Sequence, residues 1–101
     1  VESLWYGELH AGSSIRYKKV LGDYEPEVLD IIDRLKVRRF IRKGSNKESF
    51  GLIAEEVEKI AKDIVSIGDD GKRGINVMGL IYYMLLAIKQ LYREVKMLRG
   101  E

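Results

Sequence analysis

Val77-Met78-Gly79-Leu80-Ile81-Tyr82-Tyr83-Met84-Leu85-Leu86-Ala87-Ile88-Lys89-Gln90-Leu91-Tyr92-Arg93-Glu94-Val95-Lys96-Met97-Leu98 is the stretch that decides the fold. Within it Val77, Ile81, Met84, Ile88, Leu91, Val95 and Leu98 recur at alternating steps of four and three. Such a rhythm keeps one apolar stripe on one side of a helix, the seam of a coiled coil. Leu80, Leu85 and Leu86 widen the stripe early on, where the helix meets a globular part. After Ile88 it narrows, flanked by Lys89, Gln90, Arg93, Glu94 and Lys96. A core helix of a monomer would leave Leu91, Val95 and Leu98 uncovered, so the seam predicts self-association. Docking into the groove of a different protein is the alternative. By the seam rule, Ile81, Ile88 and Val95 at one position favour two strands, although the globular parts also influence the number.

Working back from this helix, Arg73–Asn76 reads as a strand, Asp69-Asp70-Gly71-Lys72 as a tight turn, and Asp63–Ile67 as its β-branched partner. Ala54–Lys62 reads as a helix with Ile53, Val57 and Ile60 inward and Glu55, Glu56, Glu58 and Lys59 outward. Val37–Lys43 and Ser49–Ile53 read as a hairpin turning at Gly44-Ser45-Asn46-Lys47. Pro26 marks a helix start, with Val28, Ile31, Ile32 and Leu35 on one face. Ala11-Gly12-Ser13-Ser14 has loop composition, and Leu4–Leu9 is a short strand. The fold class is α+β: short hairpins and helices with a long C-terminal helix over about 77–99. The chain opens on Val1 and reads as part of something longer.

Composition removes most chemistries. Among 101 residues, 46% are hydrophobic and 34% charged, which suits one compact soluble domain. A formal charge of +2, from 18 basic and 16 acidic residues, is too balanced for a nucleic-acid partner. The basic run Lys36–Lys43 alternates with apolar residues, as a half-buried strand with a solvated face would. No apolar run is long enough to span a membrane. With no cysteine and the single histidine His10, thiol chemistry, disulfides and a metal cluster are excluded, and no cofactor is expected. Asp69 and Asp70 belong to a charged turn rather than a glycosidase pair. Gly71–Gly74 lacks the spacing of a phosphate loop.

Serine with lysine remains. Ser13 and Ser14 each have a lysine five residues on, Lys18 and Lys19. A neutral amine can serve as general base for a hydroxyl. From a reference pKa of about 10.4, neutrality near pH 7 requires a downward shift of about 3 units, on the order of 4 kcal/mol, from burial or a nearby cation. Arg16 supplies part of that push. A single cut within one chain has its substrate already in place, and proximity does much of the work. Spacing alone does not choose between the two pairs and is also met by a loop with a solvated lysine.

Three blocks, in order, resemble the intramolecular chaperone auto-processing domain of the S74 peptidase family. Ser13-Ser14-Ile15-Arg16-Tyr17-Lys18 is similar to its Ser-Asp-x-Arg-x-Lys. Gly51-Leu52-Ile53-Ala54-Glu55-Glu56-Val57 is similar to its Gly-hydrophobic-Ile-Ala-Gln-Glu-Val, and the terminal helix is similar to its coiled stalk. Ser14 stands for the motif's Asp and Glu55 for its Gln; Ala61-Lys62 replaces a frequent Phe-Pro. The resemblance implies a homotrimer whose terminal helices form a stalk with Ile81, Met84, Ile88, Leu91, Val95 and Leu98 in the seam. It implies a chaperone, over 13–101, that helps an N-terminal fibre domain of the same polypeptide to trimerise. Residues 1–12 would then be the end of that fibre region. The chaperone then cuts itself off with Ser13 as nucleophile and Lys18 as base. Arg16 sets the frame, and Gly12, Ser14, Gly51 and Glu56 support the site. Relatives occur in phage tail spikes, endosialidases and neck appendages, which implies a virion precursor assembled in the host cytoplasm. They also occur in transcription factors of the myelin-regulatory type. A trimerisation cap that does not cut is the remaining alternative.

Overall fold

The structure, a computed structural model, describes residues 13–101. The expected strand Leu4–Leu9, His10 and Gly12 lie outside the described residues. A 3₁₀ turn at Ile15–Tyr17 comes first, then an extended stretch, then α1 (Leu29–Arg34). Two strands, β1 (Arg38–Ile41) and β2 (Glu48–Gly51), precede α2 (Ala54–Ile60). A second 3₁₀ turn, Lys62–Ile64, leads into β3 (Val65–Ile67) and β4 (Arg73–Ile75), and α3 (Val77–Leu98) ends the chain. Each strand pair is its own antiparallel sheet, with Arg38 opposite Gly51 in one and Val65 opposite Ile75 in the other. The result is a small mixed fold of helices and two hairpins with a long terminal helix.

Of the three α-helices among the described residues, only α3 opens on a side-chain cap. Asn76 ends the second hairpin by donating its amide N–H to the Ile64 carbonyl (2.8 Å). Its side-chain oxygen then accepts the Gly79 amide at 3.0 Å, capping α3. Pro26, expected to open a helix, does not. Its carbonyl accepts from Gln90 Nε2 (2.8 Å), and the Val28 amide donates to Gln90 Oε1 (3.0 Å). With those backbone groups engaged by a distant side chain, the helix begins at Leu29.

Among the described residues the buried core is five residues: Val28, Val57, Ala61, Ile64 and Tyr83. Ile31, Ile32, Leu35, Leu80 and Leu86 pack around it, half-buried. Gly79 belongs where α3 crosses this core, because a β-carbon there would lie 3.2 Å from Ile64 Cγ2 and 3.3 Å from the Asn76 amide. Against these five, twenty large hydrophobics among the described residues remain exposed. The radius of gyration is 17.1 Å, where a compact domain of about 100 residues has roughly 13 Å. A chain so open has unmet apolar surface, as subunits do. Because the core is so small, Ile64→Ala is expected to cost about 3 kcal/mol and lower Tm by roughly 15 °C in a thermal melt.

α3 carries two separate faces. Gly79, Tyr83, Leu86 and Gln90 turn toward the rest of the fold. The seam residues point elsewhere, roughly 140° around the axis at 100° per residue. Ile88 is 65% exposed, Leu91 54% and Leu98 88%. The widened face differs from expectation in one respect: Leu80 and Leu86 are half-buried, whereas Leu85 is exposed.

The basic strand is also barer than its alternation suggests. Only Phe40 is half-buried, and Val37 and Ile41 are exposed, because the two-stranded sheet has no layer over its other face. Glu56 and Glu58, expected to be fully exposed, are half-covered: Arg38 lies against the first and Arg73 against the second (2.7 Å).

Candidate functional site

Ser13 lies in exposed, irregular chain at the head of the first 3₁₀ turn. The Ser14 hydroxyl accepts the Arg16 amide at 3.1 Å and so caps that turn. An Asp side chain makes the same cap, so Ser14 keeps the capping capacity of the residue it replaces. The Tyr17 amide donates to the Ser14 carbonyl and the Lys18 amide to the Ile15 carbonyl (3.1 and 3.2 Å). Rising about 2 Å per residue instead of about 3.3 Å, the turn draws Lys18 back toward Ser13. Among the described residues no hydrogen bond joins the two side chains, and Ser13, Ser14, Arg16 and Lys18 are all exposed. Gly12 lies outside the described residues.

Among the described residues Glu56 makes no hydrogen bond to Ser13 or Lys18. On the first turn of α2 it takes a two-pronged contact from Arg38, Nε and Nη2 each 3.0 Å from a carboxylate oxygen. Arg38 holds its carboxyl below the usual range, chiefly through those hydrogen bonds. The contact ties α2 to β1 and gives the second motif block a structural role. Gly51 sits opposite Arg38 in the same hairpin.

Downstream of the turn the chain runs exposed to Asp23, then becomes a strap, Tyr24–Val28, fastened across α3. Tyr24 donates its hydroxyl hydrogen to Asp63 Oδ2, which Tyr83 also reaches at 3.1 Å. Glu25 lies 3.3 Å from Arg93 and 3.7 Å from Lys89. Gln90 uses both ends of its amide on the backbone of Pro26 and Val28, and the Val28 side chain is fully buried. None of these strap contacts was foreseen from the sequence, where Gln90 and Arg93 read as a polar flank of the seam. The partners are 39 to 68 residues apart, and no local pattern announces them.

The two hydroxyls titrate with the fold. Tyr83 is pushed up from the ordinary phenol value by burial first, then by its hydrogen bonds to Tyr24 and Asp63. Tyr24 is raised mainly by its hydrogen bond to Asp63. A raised acid favours the folded state fully below its unfolded pKa, about 10, and loses that contribution as pH rises through the folded value. Tm should therefore fall above about pH 10, and less steeply in Tyr83→Phe than in wild type. Equal alkaline slopes in the two proteins would refute this assignment.

No helix among the described residues is long and apolar enough to cross a membrane. No curated protein matches the chain. The peptidase S74 family model, described as a chaperone of endosialidase, matches residues 13–66. That span begins at Ser13 and takes in the capped turn, the strap, β1, β2 and α2. More than half of the chain is covered, and it therefore belongs to the peptidase S74 family, the endosialidase chaperones.

Proposed function

We propose that this chaperone trimerises through α3, brings an N-terminal fibre domain of a phage tail spike or appendage into register, and then cuts itself free next to Ser13. The observation that carries the reading is the bare seam: seven heptad positions exposed on a helix whose other face is occupied. A second copy presenting the same stripe covers it. The family resemblance implies three strands, where the seam residues alone favour two.

In the cut, the neutral Lys18 amine takes the proton of the Ser13 hydroxyl as its oxygen attacks the Gly12 carbonyl carbon. The Gly12–Ser13 C–N bond breaks, the Ser13 amine receives that proton, and water hydrolyses the ester then joining Gly12 to the Ser13 oxygen, which separates the two segments. Holding the amine neutral requires keeping water from it. In the lone protomer Lys18 is exposed, as are Ile15, Tyr17, Val20 and Leu21 around it. A neighbouring protomer that covers these apolar residues would also dry the dyad, so cutting follows assembly. Residues 1–12 are the end of the released region. Arg16 holds the frame, and Ser14 caps the turn.

The test is mass spectrometry and sedimentation of the chain as it stands. A trimer that yields a fragment beginning at Ser13 or Ser14 supports the reading. A monomer at micromolar concentration refutes the assembly, and an intact trimer leaves a cap that does not cut.

A further inference from the structure

We propose that Gln90 is a positioning residue for the cut at Ser13, linking the assembling helix to the dyad through the strap. The inference rests on the reading of Ser13 and Lys18 given above. Among the described residues, the hydrogen bonds of Ser13–Asp23 stay within the 3₁₀ turn itself. A nucleophile and base on so loosely held a segment need an anchor, because a displacement of about 1 Å costs on the order of a hundredfold in rate. The nearest anchor downstream is the strap.

Gln90 is suited to that task. It grips main chain rather than side chains, accepting from the Val28 amide and donating to the Pro26 carbonyl, so it fixes the path of the strap itself. It is half-buried on α3, between Ile88 and Leu91 of the seam. Lys89 and Arg93, its neighbours on the helix, flank Glu25 on the same strap. Any shift of α3 on assembly therefore carries the strap with it. Five residues, Lys19–Asp23, join the dyad to the strap, and among them Gly22 has a left-handed φ of 149°. It sets one bend in the chain between anchor and site.

The experiment measures the rate of fragment release and the sedimentation of the whole chain. Gln90→Met keeps the length of the side chain and removes both hydrogen bonds. It is expected to remain trimeric and to be cut at least about tenfold more slowly than wild type. Gln90→Glu keeps an acceptor for the Val28 amide but loses the donor to Pro26, and should fall between the two. If Gln90→Met does not fold, Gln90→Glu carries the test, with a slowed cut expected. Ile64→Val trims the core that Val28 also joins but leaves both Gln90 hydrogen bonds in place; it lowers Tm and should be cut at the wild-type rate. A folded Gln90 variant cut at the wild-type rate overturns the proposal. So does a cut that slows with Tm alone in both Gln90→Met and Ile64→Val. A wild-type chain that assembles and stays whole overturns the dyad reading instead, and the role of Gln90 falls with it.

Discussion

Leu91→Asp should convert the assembly into monomers at micromolar concentration, seen as a single slow boundary in sedimentation velocity. Leu91 is 54% exposed in the protomer and takes no part in the five-residue core. The substitution therefore leaves the protomer folded, with its helical circular dichroism intact. In a closed seam the same position is dry. An unpaired carboxylate there costs about 3–5 kcal/mol, and the copies place like charges against one another. Met97→Asp is the control. Met97 is 76% exposed on the same helix but lies roughly 150° from the seam, so the assembly should survive. If Leu91→Asp sediments as wild type does, the seam is not the interface.

Ser13→Ala and Lys18→Ala should each abolish release of the fragment, a loss of at least about a thousandfold, since a nucleophile and its base act as one unit. Both side chains are exposed, so neither change should alter Tm or sedimentation. Ser14→Ala and Lys19→Ala separate the two frames. They should leave the cut in place, with Ser14→Ala also removing a turn cap worth about 1 kcal/mol. Leu91→Asp should not be cut either if a neighbouring protomer is what dries Lys18. A Lys19→Ala chain that stays whole beside a Lys18→Ala chain that is cut would transfer the chemistry to the other serine.

Periodic and punctuated segments are legible in the sequence. The long helix α3 with its apolar stripe, the two hairpins with their turns at Gly44 and Gly71, and the inward Val57 of α2 all stand where spacing and turn chemistry put them. Two further features were hidden because they depend on groups far away in the chain. Pro26 has the credentials of a helix start, but its carbonyl and the Val28 amide are taken by Gln90. Tyr83 and Gln90 form the inner face of α3 at the same four-and-three rhythm as the seam. A periodic apolar pattern reveals one stripe readily and a second, mixed-polarity stripe hardly at all. Glu56 sits in the second motif block, yet its partner Arg38 is an adjacent element rather than Ser13 or Lys18. The serine–lysine spacing was weak by itself, and its meaning came from three blocks in order.

The two faces of α3 impose a constraint on length as well as on residue type. Arg93 makes the last inward contact, to Glu25, and Val95 and Leu98 follow it on the outer stripe. Removing one residue just after Arg93 leaves every inward contact in place but rotates the remaining stripe by about 100°. An insertion of seven residues there lengthens the stalk and keeps its phase. Natural variation in this segment should therefore come in whole heptads, making the stalk extensible in fixed increments while the strap stays locked to its neighbours.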